Sequence, residues 1–262
     1  MNINDIIIDE NNVKVDFFEG PSGNGFETTK FSMRRQREES PFGTKGMSQE
    51  QGVPRSDKGW KKWIETNVKN FEGKIDNAAK LMSSLDEGIN YIHENLITGG
   101  LPKFPYPDIF VVTDDRPDMP AIYTNPDDMN IYVRKAFLEK ASKSDPNSLI
   151  SLRNTNSEIT FQGTTSNLFR LTGVEEGHHS VFMQVNPEIE FPKIQISGAD
   201  YNADEAEYVA LMWKIRFAEE KHMPETTIST LRTQLIEATP VRQRKVKLQS
   251  SRKLLPPGTT LI

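Results

Sequence analysis

The chain has 262 residues, no cysteine and a formal net charge of −5 from 32 basic and 37 acidic side chains. The lack of cysteine excludes disulfides, thiolate metal sites and cysteine nucleophiles. The mildly negative charge opposes nucleic-acid binding by the chain as a whole. No apolar run approaches the ~20 residues that span a bilayer, and the first residues lack the pattern of a signal peptide. We therefore expect a cytoplasmic protein without a membrane partner.

Composition divides the chain into three parts. Residues 1–59 are predicted to be mostly disordered, because residues 19–59 are rich in Gly, Ser, Pro and charge and carry few apolar anchors. Within this segment, residues 1–18 suit either a short hairpin or a docking peptide for a protein partner. Residues 60–238 carry the patterned elements of one domain. Residues 239–262 form a basic tail whose charge could contact nucleic acid or an acidic partner.

Helical periodicity dominates the start of the domain. Apolar residues recur at intervals of three and four from Trp60 to Leu96, which predicts helical structure. Gly73 and Gly88 interrupt the pattern, so two helices are expected rather than one. His93 lies beside the apolar stripe on the last turn, and we assign it a structural role rather than that of a ligand.

Strand signals follow a proline-rich connector. Residues 108–113 form a short, continuous apolar run that is typical of a buried strand. Residues 121–124 and 130–133 flank the sequence Asn125-Pro126-Asp127-Asp128, whose residue types favour a hairpin loop. The expected fold class is α+β, with a small, mostly antiparallel sheet packed on helices.

The second half of the domain is predicted to be largely helical. Residues 148–152 are interpreted as a short helix and residues 159–161 as a strand. Three more helices are expected from cap residues and apolar spacing. They run from Thr165 or Ser166 to about Gln184, from Asn202 or Asp204 to about Lys221, and from Pro224 to Ala238.

One stretch of the first long helix concentrates chemically active side chains. Positions three and four apart share a helix face, so Glu175 and His179 can grip one metal ion. Zinc accepts imidazole nitrogen and carboxylate oxygen, and manganese or iron are alternatives. A third ligand is expected from the next helix, which offers Glu205 and Glu207. Within five consecutive positions the stretch holds two carboxylates and two of the chain's four histidines: Glu175, Glu176, His178 and His179.

This stretch resembles the motif helix of the zincin metallopeptidases in their gluzincin arrangement. In that family a His-Glu-x-x-His helix gives two zinc ligands and a general base, and a glutamate on a later helix gives the third ligand. Here Glu175-Glu176-Gly177-His178-His179 stands at the motif and Glu207-Tyr208-Val209-Ala210 at the later element. The resemblance implies a zincin-like fold over residues 75–222 and a metal-dependent hydrolase. Such a protein would be a peptidase acting on a protein or peptide, or its inactive relative.

The resemblance also implies a role for each residue. Glu175, His179 and Glu207 would be metal ligands, and Glu176 would be the base that takes a proton from metal-bound water. His178 would be a supporting group or an alternative ligand. Because Glu175 replaces the first histidine of the motif, the site gains one negative charge. That charge weakens the Lewis acidity of zinc and suits manganese or iron better.

Other interpretations stay open from the residues alone. A di-iron carboxylate protein would use Glu-x-x-His on two helices, and Glu175-x-x-His178 and Glu219-x-x-His222 both have that spacing. A purely structural account makes His178 a hydrogen-bonded core histidine and Glu176 a surface residue. It makes Glu205 and Glu207 first-turn acids favoured by the helix dipole. A third hypothesis is a non-enzymatic interaction or assembly protein whose tails bind partners.

Overall fold

The protein is an α+β molecule with six helices and small sheets among its described residues, which confirms the predicted fold class. Side chains are not described for residues 6–8, 13–15, 98, 153, 159–160, 201–205 and 237. The computed structural model describes residues 6–8, 13–15, 46–47, 55–98, 105–113, 120–153, 159–185, 201–237 and 254–259.

The N-terminal segment contributes a hairpin and one bridge to the domain. Strands β1 (Ile6–Ile8) and β2 (Val13–Val15) pair antiparallel, which confirms the hairpin interpretation of residues 1–18. Further along, Met47 forms an isolated antiparallel bridge with Ile109. Most of the segment predicted to be disordered lies outside the described residues.

Two helices begin the domain, as the periodicity predicted. Helix α1 (Asp57–Asn67) starts at Ser56, whose hydroxyl accepts a hydrogen bond from the Gly59 amide at 3.2 Å. Helix α2 (Ile75–Thr98) follows after a break that contains Gly73. Gly88, by contrast, lies inside α2 and does not interrupt it. Its role is in packing, as described below.

The central sheet has three strands in the order β3–β5–β4. Strand β3 (Ile109–Val112) is buried throughout, as a continuous apolar run predicts. Strands β4 (Ile122–Thr124) and β5 (Ile131–Arg134) form the predicted antiparallel hairpin. Strand β3 runs parallel to β5, so the sheet is mixed, while the other strand pairings among the described residues are antiparallel. Strand β4 is the edge of this sheet nearest the candidate site.

The region after the sheet corrects one sequence prediction. Helix α3 (Lys135–Ala141) is followed by strands β6 (Leu149–Arg153) and β7 (Ile159–Thr164), which pair antiparallel. The prediction of a short helix over residues 148–152 is therefore wrong. A short apolar run has no decisive periodicity, and pairing with β7 fixes the extended conformation.

Three long helices complete the domain close to their predicted bounds: α4 (Thr165–Val185), α5 (Tyr201–Glu220) and α6 (Glu225–Glu237). Helices α2 and α4 pack backbone against backbone. A side chain at Gly88 would overlap the Arg170 carbonyl oxygen, and one at Gly173 would overlap the Leu85 carbonyl oxygen. The two glycines inside helices therefore mark close approach rather than helix ends.

A hydrophobic core joins α4, α5 and α6. Trp213 and Phe217 of α5 are fully buried in it. The Trp213 indole donates a hydrogen bond to the Leu254 carbonyl oxygen at 2.6 Å, which ties residues 254–259 to α5. The basic residues of the predicted tail lie outside the described residues. Within the described ranges, no helix combines the length and apolar character needed to cross a membrane.

Candidate functional site

Helix α4 presents acids and imidazoles to the interior because neighbours cover it on several sides. A side chain at Gly177 would overlap Ile92 of α2, while Ser180 donates a hydrogen bond to the Met129 carbonyl oxygen at 2.8 Å. Of its candidate site residues, Glu176, His178 and His179 are all buried. Buried charged groups need partners, and the partners come from β4 and α5.

Glu176 is fixed by the end of strand β4. Its Oε2 accepts hydrogen bonds from the backbone amide and the hydroxyl of Thr124, each at 2.7 Å. Its exposed fraction is only 8%, so the structural account that made it a surface residue is wrong. Strand β4 lies at a sheet edge, which leaves the Thr124 amide free of a strand partner and able to hold the carboxylate.

His179 lies between two carboxylates. Its Nδ1 is 3.6 Å from Glu176 Oε2 and its Nε2 is 3.3 Å from Glu207 Oε1. Burial opposes protonation of this imidazole, but Glu207, Glu176 and Glu175 outweigh burial and raise its pKa to about 10. In this arrangement the ring is an imidazolium that bridges α4 and α5.

Glu175 pairs with a lysine of α5. Its Oε2 accepts a hydrogen bond from Lys214 Nζ at 2.6 Å. Burial disfavours the charged form, but Lys214 and His179 outweigh it and lower the pKa of Glu175. The carboxylate of Glu175 thus accepts the hydrogen bond from the Lys214 ammonium group.

The side chain of Glu207 is more accessible than that of Glu175. Its side chain is 54% exposed, although its carboxyl end lies among the charged groups of α4. Desolvation at that end, together with repulsion by Glu175 and Glu176, raises the pKa of Glu207. Solvent screening limits the size of this effect. Of the carboxyl groups of Glu175 and Glu207, that of Glu207 is therefore the one that takes up a proton first as the pH falls.

These five side chains form one group, which we call the α4–α5 cluster. Sequence reasoning placed four of its members in a site and missed the lysine. Lys214 follows Glu207 by seven residues, or two helical turns, so both lie on one face of α5. That spacing could have identified it. The α4–α5 cluster consists of Glu175, Glu176, His179, Glu207 and Lys214.

The remaining predicted residues lie apart from this cluster or cannot be placed. His178 is fully buried beside Phe182, and neither ring nitrogen has a hydrogen-bond partner in the described part of the chain. It is a core histidine, but not the hydrogen-bonded one expected. The side chain of Glu205 lies outside the described residues.

The second Glu-x-x-His pair, Glu219 and His222, differs from the first because it lies at the surface. Glu219 pairs with Arg232 at 2.8 Å on the surface. His222 is exposed, follows the end of α5 and has a positive φ of 51°. These features match a solvated helix end. The di-iron interpretation therefore gains no supporting contact among the described residues.

The α4–α5 cluster suits a divalent cation by the chemistry of its donors. One imidazole and two carboxylates are ligands of zinc, manganese and iron. Across the described ranges, however, no three Asp, Glu or His side chains are already arranged to hold a metal ion. Lys214 occupies one carboxylate and Thr124 another. Binding a cation therefore requires the His179 imidazolium to lose a proton, since only the neutral ring is a ligand. It also requires Lys214 to share or give up the Glu175 carboxylate.

Comparisons of the chain with protein-family models, with curated proteins and with solved structures find no match.

Proposed function

We propose that this protein is a zincin-like, metal-dependent hydrolase, a peptidase or an inactive relative of one. Glu175, His179 and Glu207 would hold the cation, zinc in the first instance. One observation carries the proposal: His179 Nε2 lies 3.3 Å from Glu207 Oε1, although the two residues belong to different helices. Only the fold brings them together, at the positions where the resemblance expects two ligands.

The order of elements supports the same proposal. A long helix, a buried strand and a hairpin come before the helix with the acid–imidazole stretch, and a helix with a glutamate comes after it. Helix α3 and strands β6 and β7 lie between the hairpin and α4. The mixed sheet ends with β4 beside α4, where Thr124 contacts Glu176. A zincin-like arrangement remains a proposal, and these features are its support.

Glu176 is the residue proposed to move a proton. A bound cation would supply the Lewis acid that polarises a carbonyl and activates water. Thr124 holds Glu176 Oε2 with two donors, which fixes the carboxyl group beside His179. The Glu176 carboxyl group would accept the proton from metal-bound water.

A second candidate function is favoured by the contact between Lys214 and Glu175. An ammonium group at 2.6 Å can satisfy the carboxylate without a metal. In that case the cluster would hold α4 against α5 as a charged connection. The protein would then be an inactive relative that works through binding, in line with a non-enzymatic interaction or assembly role.

Elemental analysis of the full-length protein tests the proposal. The protein would be purified without chelators and without metal-affinity chromatography. We expect about one equivalent of zinc, manganese or iron, most of which is lost in a Glu175→Ala, His179→Ala double variant. The matched control is Glu219→Ala, His222→Ala, which makes the same change on the exposed end of α5. Equal metal content in all three proteins would overturn the proposed site.

A peptidase assay separates the active protein from the inactive relative. The metal-loaded protein and a Glu176→Gln variant would be compared on unstructured protein substrates, with and without chelator. Glu176→Gln keeps the metal but lacks the base, so we expect about a hundredfold loss of rate or more. Metal binding with no chelator-sensitive cleavage in either protein would leave the inactive relative as the function.

A further inference from the structure

Lys214 is held against Glu175 by the packing of α5 on α4. The neighbouring residue Trp213 is fully buried in the core, which fixes the rotation of α5 at this turn. The side chains of Lys214 and Glu175 are only 18% and 26% exposed. At 2.6 Å, Lys214 Nζ donates a charge-assisted hydrogen bond to Glu175 Oε2, so an ammonium group contacts the proposed ligand.

The positive charge of Lys214 offsets the negative charge that Glu175 adds where it departs from the motif. A glutamate stands at position 175, where the resemblance expects a neutral imidazole, and it adds one negative charge to the site. Lys214 Nζ, 2.6 Å from its Oε2, adds one positive charge. The Glu175–Lys214 pair is neutral, as the expected imidazole is. A ligand carboxylate is commonly held by a hydrogen-bonding partner of this kind.

We propose that Lys214 is a positioning and charge-compensating residue, which makes the Glu175 carboxylate act toward a divalent cation as a neutral ligand would. This inference rests on the proposed function and deepens it. Lys214 would lower the affinity for the cation, because a cation has to share Glu175 with the ammonium group. It would also withhold electron density from the cation and so preserve its strength as a Lewis acid.

The test is a calorimetric titration of the chelator-treated, full-length protein with Zn²⁺ alone and, separately, with Mn²⁺ alone. Lys214→Met removes the charge, and we expect it to bind the ions at least about tenfold more tightly, since a unit charge within ~5 Å opposes them. Lys214→Arg keeps the charge and should stay within about threefold of the natural chain. Lys221→Met is the control, because Lys221 pairs with Glu87 at 2.9 Å outside the cluster.

A loss of folding in Lys214→Met would not prevent the test. Lys214→Gln removes the charge while it retains a hydrogen-bond donor for Glu175, and the same tightening is expected. A purely structural lysine would lower thermal stability without raising the affinity for the ions.

Each outcome separates this inference from the proposed function. Binding by the natural chain with equal or weaker binding by Lys214→Met and Lys214→Gln overturns the inference and leaves the metal site standing. Binding only by the charge-free variants supports the role of Lys214 and overturns the metal-dependent function of the natural chain. No binding by any of the proteins overturns both.

Discussion

Buried charged side chains are neutralised in two different ways in this protein: by one ion pair at α2 and by the several side chains of the α4–α5 cluster. On α2, Asp86 pairs with Arg55, and their side chains are 1% and 2% exposed. Arg55 Nε and Nη2 donate to Asp86 Oδ1 at 2.9 and 2.6 Å, and its backbone amide donates to Oδ2 at 2.8 Å. One cation meets one anion, and both oxygens of the carboxylate have donors.

The α4–α5 cluster has no such balance. Three carboxyl groups face one ammonium group and one imidazolium, so one negative charge is in excess. It is also more open, with Glu207 54% exposed. A closed, balanced ion pair is typical of a structural role. An excess of carboxylates beside a histidine, accessible from one side, is typical of a functional site.

The largest effect is expected from breaking the balanced pair. Asp86→Ala leaves the Arg55 charge buried without its counter-ion and should lower the free energy of unfolding by about 3–5 kcal/mol, measured by urea denaturation. The exposed pair Lys61–Asp76, at 2.7 Å, gives the control, and Asp76→Ala should leave the free energy of unfolding almost unchanged. Similar losses in the two variants would show that the Arg55–Asp86 pair is not structural.

The next largest effect is expected at the contact between α2 and α4, which joins the two regions. Gly173→Ala places a methyl group against the Leu85 carbonyl oxygen, so α2 and α4 must separate. We expect a loss of about 3 kcal/mol in the free energy of unfolding. In the control, Gly59→Ala, the nearest atom is 3.4 Å away, and the gain in helix propensity should make the change neutral or stabilising. A neutral Gly173→Ala would contradict the close packing of α2 on α4.

The buried imidazole of α2 contributes to the dependence of stability on pH. His93 is fully buried and stacks on Tyr106 at 4.6 Å. Burial and, to a smaller extent, the Arg55 charge lower its pKa to about 3. Below about pH 6.5, His93 binds a proton in the unfolded chain but not in the folded chain. The free energy of unfolding therefore falls as the pH is lowered to about 3, by up to ~1.4 kcal/mol per pH unit.

His93→Phe keeps the stacking and removes this titration. Neither nitrogen of His93 has a hydrogen-bond partner within the described residues, so no bond is lost. At pH 5 the variant should lose about 2 kcal/mol less stability, relative to pH 8, than the natural chain. The exposed His222, changed to Gln, is the control. Parallel stability curves for His93→Phe and the natural chain would contradict the prediction.

The smallest effect is expected at the edge of the α4–α5 cluster. Thr124→Val removes the hydroxyl that donates to Glu176 Oε2 at 2.7 Å but keeps the backbone donor. We expect a loss of about 1 kcal/mol in the free energy of unfolding. Thr66→Val, which removes an exposed bond to the Lys62 carbonyl oxygen at 2.8 Å, should change it by less than about 0.5 kcal/mol. Equal effects would mean that Thr124 does not hold Glu176.

Much of the α4–α5 cluster could be predicted from sequence because its geometry is local or repeats along helices. Helical spacing places Glu175 and His179 on one face, and a later amphipathic helix offers Glu207. Lys214 escaped notice because a lysine on a helix is usually a solvated residue, and only packing reveals that this one faces α4. Thr124 comes from a distant hairpin, which no local pattern connects to Glu176.

Glycine shows the same limit within the fold. Gly73 and Gly88 give identical signals in one sequence, yet Gly73 lies in a helix break and Gly88 in a close helix contact. The difference depends on which surface α4 presents, which is a tertiary property. In the same way residues 149–153 became a strand because β7 lies beside them, and short apolar runs do not encode that neighbour.

The most direct measurement of the central claim is an anomalous difference map at the zinc absorption edge, from crystals grown with and without Zn²⁺. We predict a peak in contact with Glu175, His179 and Glu207 in the zinc-grown crystals, with Thr124 still bonded to Glu176. The absence of any peak at the α4–α5 cluster, with Lys214 on Glu175 in both crystals, would contradict the account.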